Sequence, residues 1–252
     1  MELTDIAEPP TQIAFAVTDI CNLGCVQCSH SYQPTGYRHS SVSPEVIRAI
    51  AAHATRFSLH GNGEVLTHPH WPDYIPETAK NVGFSSNGLL LKGRSLDLIF
   101  EKKIGWLSIS IDAGTPEAYA KVRGGDWKLL WENIDGLLAR RSQQPEPCVP
   151  YMMFTMCVMR ANMASVPGLA KLAVERNVIV CFHHLNHGLT YSTPWNDGNG
   201  TFVYNEQEIG EANLPFHDAM MLEAKTIAAA AKRNNLYLNG RFFGRQYNNE
   251  PL

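Results

Sequence analysis

The segment running Thr18, Asp19, Ile20, Cys21, Asn22, Leu23, Gly24, Cys25, Val26, Gln27, Cys28, Ser29, His30 places three cysteines at C-x3-C-x2-C spacing within one loop length. Half of the six cysteines in the chain sit here. Thiolates are soft ligands that select iron–sulfur clusters, zinc or copper(I), and a [4Fe-4S] cubane is normally held by four of them. Three close thiols without an obvious fourth leave one metal corner open to a ligand that is not protein. A tetrahedral zinc site would instead need a fourth protein donor such as His30. Cys148, Cys157 and Cys181 have no tight ligand spacing and read as buried core thiols.

A chain of 252 residues with 44% hydrophobic content can bury a large core, which fits one α/β domain. The net charge of −3 offers no polycationic face, so nucleic acid and anionic membrane surfaces are not expected partners. No apolar run approaches the roughly 18 residues of a membrane span. The N-terminus, Met1 to Pro10, is acidic and contains prolines, unlike a signal peptide. A cytoplasmic protein is expected, and in a reducing compartment clustered cysteines favour metal chemistry over disulfides.

Strand and helix signals alternate along the chain. Gln12 to Thr18 is a short apolar run of strand formers that feeds directly into the cysteine loop. Ser43-Pro44-Glu45 supplies a cap, a proline at the first helical position and an early acid, and Val46, Ile47, Ile50, Ala51 and Ala54 follow at helical spacing. Arg56 to His60 is a second strand, 71–81 a helix, Phe84 to Leu91 a third strand with an Asn-Gly turn, and Leu96 to Lys103 a helix. Trp106 to Asp112 alternates at period two as a fourth strand. Thr115-Pro116-Glu117 repeats the cap signature, and Trp127, Leu130, Trp131, Ile134, Leu137 and Leu138 mark a long amphipathic helix. Tyr151 to Met159 and Val178 to Leu185 complete six strands, with a helix over Val166 to Asn177 between them and a last one over Phe216 to Asn234. This order predicts a parallel sheet with right-handed crossovers.

Sites in such folds gather at the carboxyl ends of the strands. The cysteines follow strand one, Gly61-Asn62-Gly63-Glu64 strand two, Ser86-Asn87-Gly88 strand three, and Ser110 with Asp112 closes strand four. A ligand that chelates an open iron through an amine and a carboxylate needs an acceptor for the first and a cation for the second. Glu64, flanked by glycines, suits the amine, and Arg123 the carboxylate.

These elements resemble the radical S-adenosylmethionine (radical SAM) family. The carriers are Cys21-x3-Cys25-x2-Cys28, Gly61-x-Gly63-Glu64 in the place of that family's glycine–glycine–glutamate element, Ser86-Asn87-Gly88, and the run from Leu107 to Asp112 with Thr115-Pro116-Glu117 and Arg123. The resemblance covers roughly residues 10 to 185. It implies a partial (β/α)6 barrel of parallel strands, a [4Fe-4S] cluster on Cys21, Cys25 and Cys28, and S-adenosyl-L-methionine on the fourth iron. Gly61, Gly63 and Glu64 would meet its amine, Arg123 its carboxylate, Ser86, Asn87 and Ser110 the ribose or carboxylate side, and Leu185 the adenine. Asp112 is the candidate catalytic residue. The implied chemistry is one-electron cleavage of SAM to a 5′-deoxyadenosyl radical that abstracts hydrogen, with a flavodoxin or ferredoxin as electron donor.

Two positions depart from the family. Gln27 stands where an aromatic residue usually packs near adenine, so amide contacts are expected there. Val65 replaces the common proline after the glutamate. The chain's end resembles the subgroup of radical SAM proteins with a cysteine-rich C-terminal extension, called SPASM proteins, and stops about where the first cysteine of that extension would stand. Residues 1–11 are expected as an N-terminal extension, 12–238 as the barrel, and 239–252 as a tail, either a linker to a missing cysteine-rich domain or the end of a minimal chain that works with one cluster. The long connection 186–213 is expected as a functional loop. Peptide or protein maturation is the leading function. Oxidation or rearrangement of a small carbohydrate or cofactor precursor, contacted by His183, His184 and His187, is the second. A non-catalytic zinc or iron–sulfur protein is the third.

Overall fold

The computed structural model describes residues 11–28, 31, 39–61, 63–78, 81–145, 150–185, 204–232, 236–242 and 245–251, the last two stretches as backbone only. His30, Cys148, His187, residues 1–10 and most of the connection after Leu185 lie outside these residues, as does the side chain of His184.

Among the described residues eight strands form one sheet in simple chain order: β1 (Gln12–Phe15), β2 (Arg56–Leu59), β3 (Asn81–Ser86), β4 (Trp106–Ser110), β5 (Tyr151–Val158), β6 (Ile179–His184), β7 (Leu236–Phe242) and β8 (Arg245–Pro251). β1 to β7 pair in parallel, and β8 runs antiparallel to β7. The six strands expected from sequence are all present, although the third spans Asn81–Ser86 rather than Phe84 to Leu91, in an open α/β sheet with β1 and β8 at its edges. Parallel neighbours need crossovers: α1 (Pro44–Ile50), α2 (Gly93–Glu101), α3 (Pro116–Val122), α4 (Trp127–Arg141), α5 (Val166–Glu175) and α6 (Leu214–Ala230) lie in all but the one from β2 to β3, which carries only the 3-10 turns Val65–Thr67 and Trp71–Tyr74.

Three expectations change. The helix predicted over 71–81 is a single 3-10 turn, Trp71–Tyr74, because Pro76 follows at a position that needs a backbone N–H to continue the helix, and Asn81 already opens β3. The long helix after Thr115 is two helices, because α3 stops at Arg123 and Gly124 takes a left-handed φ of 69°. Within 239–252, expected as a tail, residues 239–242 end β7 and Arg245–Pro251 forms β8.

Local chemistry explains the helix starts. Ser43, Thr115 and Asp126 accept from the backbone N–H of Val46, Ala118 and Leu129, the N-cap arrangement that satisfies otherwise orphaned donors. The core lies between sheet and helices: Phe57, Leu59, Phe84, Leu107, Ile109 and Phe154 from the strands are fully buried against Ile99, Tyr119, Leu130, Ile134 and Leu169. Burying one such side chain is worth about 1.5–3 kcal/mol, so this layer fixes the sheet whose carboxyl ends carry the polar residues.

Candidate active site

The cysteine loop is held in place by its backbone. Cys28 N donates to Cys25 O at 3.1 Å, closing a turn, and Val26 N donates to Val122 O at 3.0 Å, tying the loop to the end of α3. On its other side Glu64 N donates to Ile20 O at 2.8 Å. Gly63 permits that approach: a Cβ there would lie 2.4 Å from Thr18 O and 2.7 Å from Ile20 O. Gly61 has a similar role, since its Cβ would lie 2.3 Å from Ala16 Cβ. Both glycines therefore serve the packing of the loop after β2 against the chain entering the cysteine loop, a purpose their sequence context did not reveal.

A cleft of about 300 Å³ opens at the carboxyl ends of β2, β3 and β4. Cys21, Cys25 and Cys28 line it, together with Gln27, Gly61, Gly63, Glu64, Ser86, Asn87, Ser110 and Arg123. Eleven of the thirteen expected site residues thus meet at one opening. Leu23, His60 and Ser85 line it too and were not anticipated, because nothing in their own sequence neighbourhood separates them from ordinary strand-end residues.

Two expected residues lie elsewhere. Leu185, expected at an adenine, is buried with Val122 and Met159 in a small cluster that Val26 and Cys157 flank. Asp112, expected as a catalytic carboxylate, does not line the cleft. Its Oδ2 accepts from Gln27 Nε2 at 2.6 Å and lies 2.8 Å from Arg123 Nε, while Oδ1 accepts from Cys157 N at 2.6 Å. The residue is 3% exposed, and its main-chain oxygen accepts from Asn162 Nδ2 at 3.0 Å. So engaged, the carboxylate positions Gln27 and Arg123.

Glu64 is 4% exposed and ties two strand ends together. Oε1 accepts from Ser86 Oγ at 2.9 Å and Leu66 N at 3.3 Å, and Oε2 accepts from Asn87 N at 2.6 Å. Burial pushes its carboxyl above the usual range, and these donors pull it back down. An ionised carboxylate offers about four acceptor sites, so one on Oε2 is left for a ligand. Asn87 Nδ2 donates to Asn22 Oδ1 at 2.7 Å and so braces the cysteine loop from β3. Burial also raises the Cys21 and Cys25 thiols. The neighbouring Glu64, Cys25 and Cys28 charges raise Cys21 further, and Arg123 draws Cys25 back.

The donor set fits an iron–sulfur cluster. Three unbridged cysteines face one opening, and soft thiolates are the donors that hold a [4Fe-4S] cubane.

The sequence profile of the radical SAM superfamily matches residues 15–164, more than half of the chain. The chain belongs to the radical SAM superfamily. The family implies a [4Fe-4S] cluster and SAM, and membership makes this chain an enzyme whose particular reaction is a separate question. Among curated relatives, the chain is 28% identical over 138 residues to a probable GTP 3′,8-cyclase of Methanosarcina acetivorans, an overlap of 50% of this chain and 40% of that one. It is 29% identical over 121 residues to an AdoMet-dependent heme synthase of Methanosarcina barkeri, covering 46% of this chain and 35% of the relative. Among solved structures, Streptococcus suis SuiB bound to S-adenosylmethionine superposes with a TM-score of 0.67 at 10% identity, over 92% of this chain and 51% of SuiB. The SuiB likeness is one of fold. The chain spans about half or less of the length of each of these proteins. Among the described residues no helix is long and apolar enough to cross a membrane.

Proposed function

We propose that this chain binds a [4Fe-4S] cluster on Cys21, Cys25 and Cys28 and SAM beside it, and uses them for hydrogen abstraction from a substrate. The observation that carries this is the convergence of the three thiols with Glu64, Asn87, Ser110 and Arg123 on one cleft. When bound, the pair supplies one-electron cleavage of SAM to a 5′-deoxyadenosyl radical. The chain's own residues hold and orient. The acceptor site left on Glu64 suits an ammonium, and the guanidinium of Arg123 keeps N–H donors beyond those facing Cys25 and Asp112, enough to take a carboxylate. Ser110 at the end of β4 would meet the ribose or carboxylate side, and Gln27, whose Nε2 is committed to Asp112, presents Oε1 without a protein partner beside the cleft. The electron comes from a donor such as a flavodoxin or ferredoxin.

For the substrate, peptide or protein maturation rests on the resemblance of the chain's C-terminal segment to SPASM proteins. A second reading, rearrangement of a small cofactor precursor, is favoured by relatives named as a GTP 3′,8-cyclase and a heme synthase. Incubation with SAM, reductant and deuterated candidates of each kind separates them. Deuterium in 5′-deoxyadenosine from a peptide supports the first reading. Deuterium from a nucleotide or tetrapyrrole alone rejects it in favour of the second.

A further inference from the structure

We propose that Arg123 and Asp112 form an opposed pair of charges that sets the reduction potential of the cluster on Cys21, Cys25 and Cys28. The inference rests on the reading of that loop as an iron–sulfur site. Arg123 Nη1 donates to Cys25 Sγ at 3.2 Å, and the arginine is only 9% exposed. Its backbone is fixed at the C-terminal cap of α3, where Arg123 N donates to Tyr119 O at 2.8 Å. Asp112 stands behind it, with Oδ2 2.8 Å from Arg123 Nε. Gln27 and Cys157 N hold the carboxylate from two further directions.

Asp112 also has a φ of 58°, a left-handed conformation that costs a non-glycine residue about 1 kcal/mol or more. Its side-chain and main-chain bonds hold it there, so the carboxylate keeps a fixed station relative to Arg123. The order Cys25, Arg123, Asp112 places a cation against the ligand sulfur and an anion one step farther away, with all three residues buried. Charges act more strongly in such surroundings than in solvent.

Hydrogen bonds to the sulfurs and nearby charge are levers by which a protein tunes an iron–sulfur potential. Reduction adds one negative charge to the cluster. The Arg123 donor stabilises that charge and raises the potential, whereas the Asp112 carboxylate opposes it and lowers the potential. Removal of either charge therefore shifts the potential in a direction fixed by its sign. A loosened loop has no reason to produce opposite shifts for two neighbouring residues.

The test is a redox titration of the reconstituted full chain without SAM, followed by electron paramagnetic resonance. Asp112→Asn should move the midpoint to a more positive value and Arg123→Gln to a more negative one. Asp112→Glu and Arg123→Lys, which keep the charges, should remain nearer the wild type. Shifts of the same sign in Asp112→Asn and Arg123→Gln, or midpoints unchanged from wild type, would overturn the proposal. If one of these two takes up no iron, the sign of the shift in the other decides. A wild-type chain that shows no cluster signal after reduction removes the iron–sulfur reading itself, and the tuning role with it.

Discussion

Asn87 N donates to Glu64 Oε2 at 2.6 Å, so the loop after β2 and the end of β3 are joined by a carboxylate that also receives Ser86 Oγ and Leu66 N. Three donors converge on a residue that is 4% exposed. Glu64→Gln puts an amide NH2 where one of those donors points. A buried polar group left without a partner costs about 1–3 kcal/mol, and a loss of that size should appear in denaturant unfolding of the metal-free chain.

Gly63→Ala is expected to disturb the cysteine loop itself, since the added methyl would lie 2.4 Å from Thr18 O and 2.8 Å from Asp19 C. Overpacking of this kind costs about 1–3 kcal/mol. The displaced atoms lead into Cys21, so iron bound per chain after reconstitution should fall as well. Gly136→Ala is the contrasting case. Gly136 lies inside α4 with open space around its Cβ position, and the change should stabilise by about 0.5–1 kcal/mol while leaving iron content as it was.

His68 predicts a pH dependence. It is 7% exposed, its Nδ1 accepts from His70 N at 3.1 Å, and its ring meets that of His39 edge-on at 4.4 Å. Burial first, then the neighbouring His39 and His70, lower its pKa below the ordinary histidine value of 6.5, with Asp73 opposing. A depressed folded-state value means that the folded form prefers the neutral ring. The contribution is fully present above the unfolded value and is lost as pH falls through the folded one. Thermal melts of the metal-free chain between about pH 5 and 8 should show stability falling on the acid side of that range, and His68→Asn, which keeps an acceptor, should flatten the fall.

Much of the site was legible because strand ends are legible. Cys21, Glu64, Asn87 and Ser110 each sit just past an apolar run or at its end, and a parallel sheet brings such positions to one edge. Contacts between distant segments were not legible. Gln27 and Asp112 are 85 residues apart, and nothing in either neighbourhood announces that the amide and the carboxylate meet, so Asp112 was expected as a catalytic residue. Asn162, which donates to Asp112 O and Cys157 O, was hidden for the same reason. β8 escaped because Arg245–Pro251 lacks the β-branched alternation of a strand with a buried face. The turn at Trp71–Tyr74 carries helical spacing, but Pro76 prevents that spacing from becoming a helix.

Cys157 separates core thiols from cluster ligands. Burial raises its thiol far above the ordinary range, and it flanks the cluster of Val122, Met159 and Leu185 away from the cleft. Cys157→Ala should therefore retain wild-type iron content and the broad absorbance near about 400 nm expected of an iron–sulfur protein. Iron loss in that variant would show that the scattered thiols had been misassigned.

The most direct measurement is 5′-deoxyadenosine formed from SAM by the anaerobically reconstituted chain under dithionite, with Cys25→Ala alongside. A brown wild-type protein that releases 5′-deoxyadenosine and methionine is expected, and a variant that binds no cluster and releases neither. Stoichiometric zinc in the wild type with no SAM cleavage, or cleavage that persists in Cys25→Ala, would overturn the assignment of Cys21, Cys25 and Cys28 to a SAM-cleaving cluster.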